Sequence, residues 1–219
     1  MLKKRNKVII GGVVSLLLLV VSTGQAIAQD GYTPVQDTAL FAAKLKKASG
    51  LTRSISSDFL QLKHLGFLEE DVESSGRFYF RREKQLRWEY TAPFFYLIIF
   101  SGDSIMIRDD ERTLTYDATS SVMFREINDV MLNMVSGNIL GSGHYEWSAF
   151  ENDLNYMIEL RPLKPGMKEF LEKIRLFVNK TDFSVDELMM IEASGDYTSI
   201  KFVNKHLNEP IPDHIFYMH

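Results

Sequence analysis

The chain has 219 residues, no cysteine, 25 basic against 29 acidic side chains and a formal charge of −4. The lack of cysteine excludes disulfides and also excludes a lipobox, the cysteine at which a bacterial lipoprotein would itself be acylated. An acidic balance makes nucleic acid and anionic membrane surfaces poor partners.

The N-terminus reads as an export signal. Lys3, Lys4, Arg5 and Lys7 form a positive region, Val8 to Val21 an apolar one, and Ala26-Ile27-Ala28 a small-x-small cleavage site. The apolar run falls short of the roughly 18 to 20 residues of a membrane span. Residues 1–28 are therefore expected to be a cleavable signal peptide, giving a soluble periplasmic protein that starts at Gln29 and carries no lipid anchor. The leader removes four basic residues and no acid, leaving 21 against 29 and a charge of −8. Residues 29–36 are expected to be a flexible lead, and 37–219 one domain, long enough for a sizeable core.

Asp37 offers an N-cap, Leu40, Phe41, Leu45 and Ala48 an apolar stripe, and Gly50 a stop, so a short amphipathic helix is predicted. From about Thr52 onward the period changes to two. In Gly76 to Pro93, GRFYFRREKQLRWEYTAP, Phe78, Phe80 and Arg82 share one strand face, and Leu86, Trp88 and Tyr90 one face of the returning strand. This hairpin carries an aromatic wall with a guanidinium aimed along it, and that charge must find acceptors or reach water. Phe94 to Phe100, FFYLIIF, is apolar on both faces and fits a central strand covered on its outer side by a helix, the first helix being the candidate, or else an exposed patch for a partner.

Alternation continues through Ile105 to Ile107, Leu114 to Tyr116, Leu154 to Leu160, Ile174 to Val178, Val185 to Ala193 and Tyr197 to Val203, with turn residues between the runs. About ten antiparallel strands in sequence order predict one large curved sheet with an apolar concave face that needs a cover. A second helix is predicted over Asn128 to Gly137, where Ile127, Val130, Met131, Met134 and Val135 make a helical stripe. Its methionines suit a core and suit equally a site that adapts to hydrocarbon.

Catalytic patterns do not assemble. The histidines are dispersed, and no HExxH, Walker loop or GxGxxG occurs. Gly141-Ser142-Gly143-His144 lacks the spacing of a nucleophile elbow and reads as a loop before a strand. Asp109-Asp110-Glu111 reads as a solvated turn. No enzyme activity, cofactor or metal is expected.

Gly76, the aromatic alternation, Arg82, Trp88 and Pro93, with Phe59 and Gln61 upstream, resemble the signature strands of the outer-membrane lipoprotein carrier protein family, LolA. The resemblance runs over most of residues 37–216. It departs at Glu83, where the family commonly has proline. It implies an incomplete, open antiparallel β-barrel of about ten to eleven strands under a helical lid. It also implies a periplasmic chaperone that takes acylated lipoproteins from an inner-membrane ABC transporter to an outer-membrane acceptor, and a monomer is expected. Carried over by residue, Arg82 becomes the lid latch, bonded to backbone near Met134 to Gly141, and Leu86 a contact for the transporter at the barrel mouth. Strand parity makes Phe78, Phe80, Trp88 and Tyr90 candidates for the lining of the acyl-chain cavity, and the helical stripe adds Met131, Met134 and Val135. Two alternatives remain open: a periplasmic sensor or general lipid-binding protein of the same fold, and, further off, a lipid or peptide hydrolase with a base near Ser142.

Overall fold

The computed structural model describes residues 31–82, 85–117 and 139–217. The expected signal peptide and the Met-rich segment with Met131, Met134 and Val135 lie outside these residues. Among the described residues, twelve antiparallel strands form a single open sheet: β1 (Thr33–Pro34), β2 (Ser54–His64), β3 (Val72–Arg81), β4 (Gln85–Ala92), β5 (Tyr96–Ser101), β6 (Ser104–Asp109), β7 (Thr113–Asp117), β8 (Tyr145–Glu151), β9 (Asn155–Pro162), β10 (Leu171–Asn179), β11 (Val185–Glu192) and β12 (Tyr197–Leu207). Their order is β1-β8-β9-β10-β11-β12-β2-β3-β4-β5-β6-β7, so the sheet ends in two edges, at β1 and β7, and does not close. Among the described residues no helix is long and apolar enough to cross a membrane.

Register explains why alternating sequences build one wall. Ile158 pairs with Leu176, Leu176 with Leu188, Leu188 with Ile200 and Ile200 with Gln61, a single row across five strands. A second row runs from Ser57 through Phe78 and Trp88 to Ile98. Each side chain in a row points to the same face, and that face is the main core.

α1 (Thr38–Leu51) lies over this face, burying Phe41 and Leu45. Asp37 caps it as predicted, its Oδ1 accepting the Leu40 N–H at 2.8 Å. Leu40, expected on the buried stripe, is exposed. Gly50 does not end the helix: the turn continues to Leu51, and Thr52 closes it with its N–H on the Ser49 carbonyl and its hydroxyl on that of Ala48.

Two expectations are corrected. Residues 31–36 are no flexible lead: Thr33 and Pro34 pair with Glu151 and Phe150, the Val35 N–H donates to Ala149 O at 3.0 Å, and the Tyr32 ring lies 6.2 Å from that of Phe177. A two-residue strand has no period from which it could be read. The outer side of β5 is covered by the C-terminal turn Asp213–Phe216, which packs on β4 and β5, and not by α1. Arg81 and Arg87 hold that turn from beneath. Arg81 bonds Ile211 O and Asp213 Oδ1 and lies 4.9 Å from the Phe216 ring centroid, while Arg87 donates to Ile215 O at 3.1 Å. On the same outer side Leu97, Ile99 and Met106 form a small separate core.

Candidate functional site

Between α1 and the concave face lies a cavity of about 840 Å³, within the usual range of small-molecule sites. α1 contributes Leu45 and Ser49 to its wall, β2 to β5 contribute Phe78, Trp88, Tyr90 and Phe100, and β9 to β12 add aliphatic residues and Phe202. Met167 and Phe170, from the β9–β10 connection with its one-turn helix α2 (Pro165–Lys168), line the end of the cavity near the start of β10. Phe170 is 72% exposed, so this lip of the wall also faces solvent.

The aromatic side of the wall is rigidly packed. Phe59 lies 5.0 Å from Trp88 and 5.1 Å from Tyr90, and Phe78 5.4 Å from Trp88. Rings at such separations add to what their burial supplies. The Tyr90 hydroxyl donates to Gln61 Oε1 at 2.9 Å, and burial pushes its pKa above the ordinary tyrosine value. A wet handle is thereby kept quiet inside an oily wall.

Strand parity places Phe78, Trp88 and Tyr90 on the cavity wall. Phe80 and Leu86, cross-strand partners on the same face, are buried in the core and add no cavity surface. Leu86 is 0% exposed, so its expected role as a mouth contact is corrected: its side chain is spent in the core and offers no surface to a partner. Parity applied to the C-terminal strands would also have found Ile174, Leu176, Val178, Leu188 and Ile200, whose alternation is plain in the sequence.

Arg82 stands just beyond the last residue of β3, with its side chain exposed. Its Nε donates to Thr52 O at 2.9 Å, and one terminal nitrogen donates to Ser49 O at 2.9 Å and Gly50 O at 2.6 Å. These are carbonyls of the last turn and cap of α1, of which Ser49 O also takes the Thr52 N–H, and there a cation meets the negative pole of the helix. Residues 134–138 of the expected latch partners lie outside the described residues. Within them, the acceptors found belong to α1 and its cap, not to Ile139–Gly141.

Ser142 is a turn former. Its hydroxyl donates to Ile139 O at 2.9 Å and accepts the His144 N–H at 3.3 Å. Among the described residues no group of three or more acids, histidines or cysteines stands together as a metal site would require.

Comparison with known proteins adds the following. The family model described as "Outer membrane lipoprotein carrier protein LolA" matches residues 51–219. An outer-membrane lipoprotein carrier protein of Chromobacterium violaceum is 28% identical over 196 residues, 87% of each chain. Among solved structures, an uncharacterised conserved protein from Thermus thermophilus superposes with a TM-score of 0.51 at 8% identity, over 82% of this chain and 93% of that one. The Pseudomonas aeruginosa MucA/MucB complex gives 0.50 at 12% identity, over 82% of this chain and 60% of that one. At such identities the two structures share the fold alone.

Proposed function

Because the chain belongs to the outer membrane lipoprotein carrier protein family, LolA, we propose that it is a periplasmic chaperone that encloses the acyl chains of lipoproteins. In this reading it receives them from an inner-membrane ABC transporter and releases them to an outer-membrane acceptor. The observation that carries the reading is the cavity of about 840 Å³ with a wall built of aliphatic and aromatic side chains under a helix.

Each methylene moved from water into such a wall gains roughly 0.8 kcal/mol, so a fully enclosed set of chains would bind too tightly to be handed on. The cover offsets this. Leu45 packs in the core cluster and also lines the cavity, so cargo that displaces α1 must first break apolar contacts the protein makes with itself. Arg82, with three carbonyl acceptors at the end of α1, is the latch that sets how costly this displacement is.

The test is purification of the exported protein from a host that makes lipoproteins, with mass spectrometry of what accompanies it. Triacylated lipoproteins are the expected cargo. Free lipids alone would overturn the carrier reading in favour of a general lipid binder, and an empty protein from such a host would overturn it as well.

A further inference from the structure

The oily wall contains two hydrogen-bond donors that nothing among the described residues satisfies. Ser57 of β2 and Trp88 of β4 both line the cavity and are 5% and 7% exposed. The Ser57 Oγ and Trp88 Nε1 atoms are shut off from solvent and have no hydrogen-bond partner. They share one row of the sheet, with Phe78 between them. The Trp88 N–H lies close enough to the Tyr90 hydroxyl to influence it, without hydrogen-bond geometry. Elsewhere on the wall Gln61 and Tyr90 serve each other, and Ser184 accepts from Lys205.

A buried donor without an acceptor destabilises the empty cavity, and alanine or phenylalanine in its place would not. Both groups are neutral, and Lys205, a cation on the wall, is already paired with Asp186. The fit is therefore to a neutral acceptor with no proton of its own, rather than to a carboxylate or phosphate. Resting on the acyl-chain reading above, we infer that Ser57 and Trp88 form a polar subsite for the ester carbonyl at the head of a fatty acyl chain. The donors stand two strands apart, roughly 10 Å, so each serves one carbonyl, and a cargo with several acyl esters occupies both.

The test compares two probes of equal chain length, monolauroylglycerol and 1-O-dodecylglycerol, which differ in the ester carbonyl. Wild type is expected to bind the ester about five-fold tighter, the value of one ordinary hydrogen bond. Ser57→Ala and Trp88→Phe should each narrow that ratio and the double variant bring it near one, while Ser57→Ala unfolds at no lower temperature than wild type. Equal affinity of wild type for both probes would overturn the subsite and leave the oily cavity standing. So would a ratio that survives the double substitution. Failure of both probes to bind would overturn the acyl-chain reading and the subsite together.

Discussion

The Phe59 ring is packed against Gly76, its cross-strand partner, so closely that a Cβ on residue 76 would lie 2.6 Å from Phe59 Cζ. The same Cβ would stand 1.9 Å from the carbonyl oxygen of Glu89, on the next strand. The glycine lets β3 and β4 approach at the bulge between Ser75 and Gly76, and the ring covers the backbone left bare. Gly76→Ala is expected to cost about 2–4 kcal/mol, since backbone must shift, and Phe59→Ala about 3–5 kcal/mol. Urea denaturation of both variants checks the pair.

Arg82→Leu should leave global stability nearly as it is, because the side chain is exposed, while loosening the end of α1. Hydrogen exchange over residues 45–52 should rise several-fold, and transfer of cargo to an acceptor should be impaired. Arg82→Lys should not rescue it, since one ammonium cannot reproduce a fork that reaches three carbonyls. Normal transfer by the leucine variant would remove the latch.

Filling the cavity separates binding from folding. Met190→Trp places a larger ring against the void bordered by β10 and β12. Binding of an apolar fluorescent probe should fall at least ten-fold, an estimate that follows from about 1.4 kcal/mol of lost contact, while the melting temperature holds or rises. Undiminished probe binding would place the ligand elsewhere.

Glu159 carries an acid-dependent share of stability. Burial alone would raise its pKa, but the hydrogen bond from Arg175 at 3.1 Å, with Arg161 at 2.5 Å and Lys173 beyond, holds it below the ordinary value of 4.5. A depressed folded-state pKa means the contribution is complete above about pH 4.5 and is lost as pH falls through the lower, folded value. Glu159→Gln should cost about 1–3 kcal/mol at pH 7 and flatten the acid limb of the stability profile. Equilibrium unfolding between pH 3 and 7 is the measurement.

Phe216→Ala should cost about 3–5 kcal/mol although it lies far along the chain from the strands it covers. Loss of its ring opens the outer side of β4 and β5, on which its turn packs, and removes the cation–π contact with Arg81. Increased dye binding and aggregation on warming should accompany the loss.

What could be read from the chain was what depends on period. The hairpin faces, the row Phe78 to Trp88 and the capped start of α1 follow from neighbours two to four residues apart. Arg82 shows where that stops: parity aims it down the wall, but β3 ends one residue earlier, and its acceptors lie 30 to 33 residues upstream on a helix whose placement no local pattern encodes. The cover of β5 is hidden for the same reason, because the pairing of Arg81 with Asp213 spans 132 residues. Leu86 is a different case. Its alternation correctly sets it on the apolar face, and only the assignment to the mouth is at odds with its full burial.

All three acceptors of Arg82 are main-chain oxygens. The hasp at the end of the first helix therefore owes nothing to the identity of the side chains it grips, so the helix's inner surface can be re-tailored while the fastening stays the same.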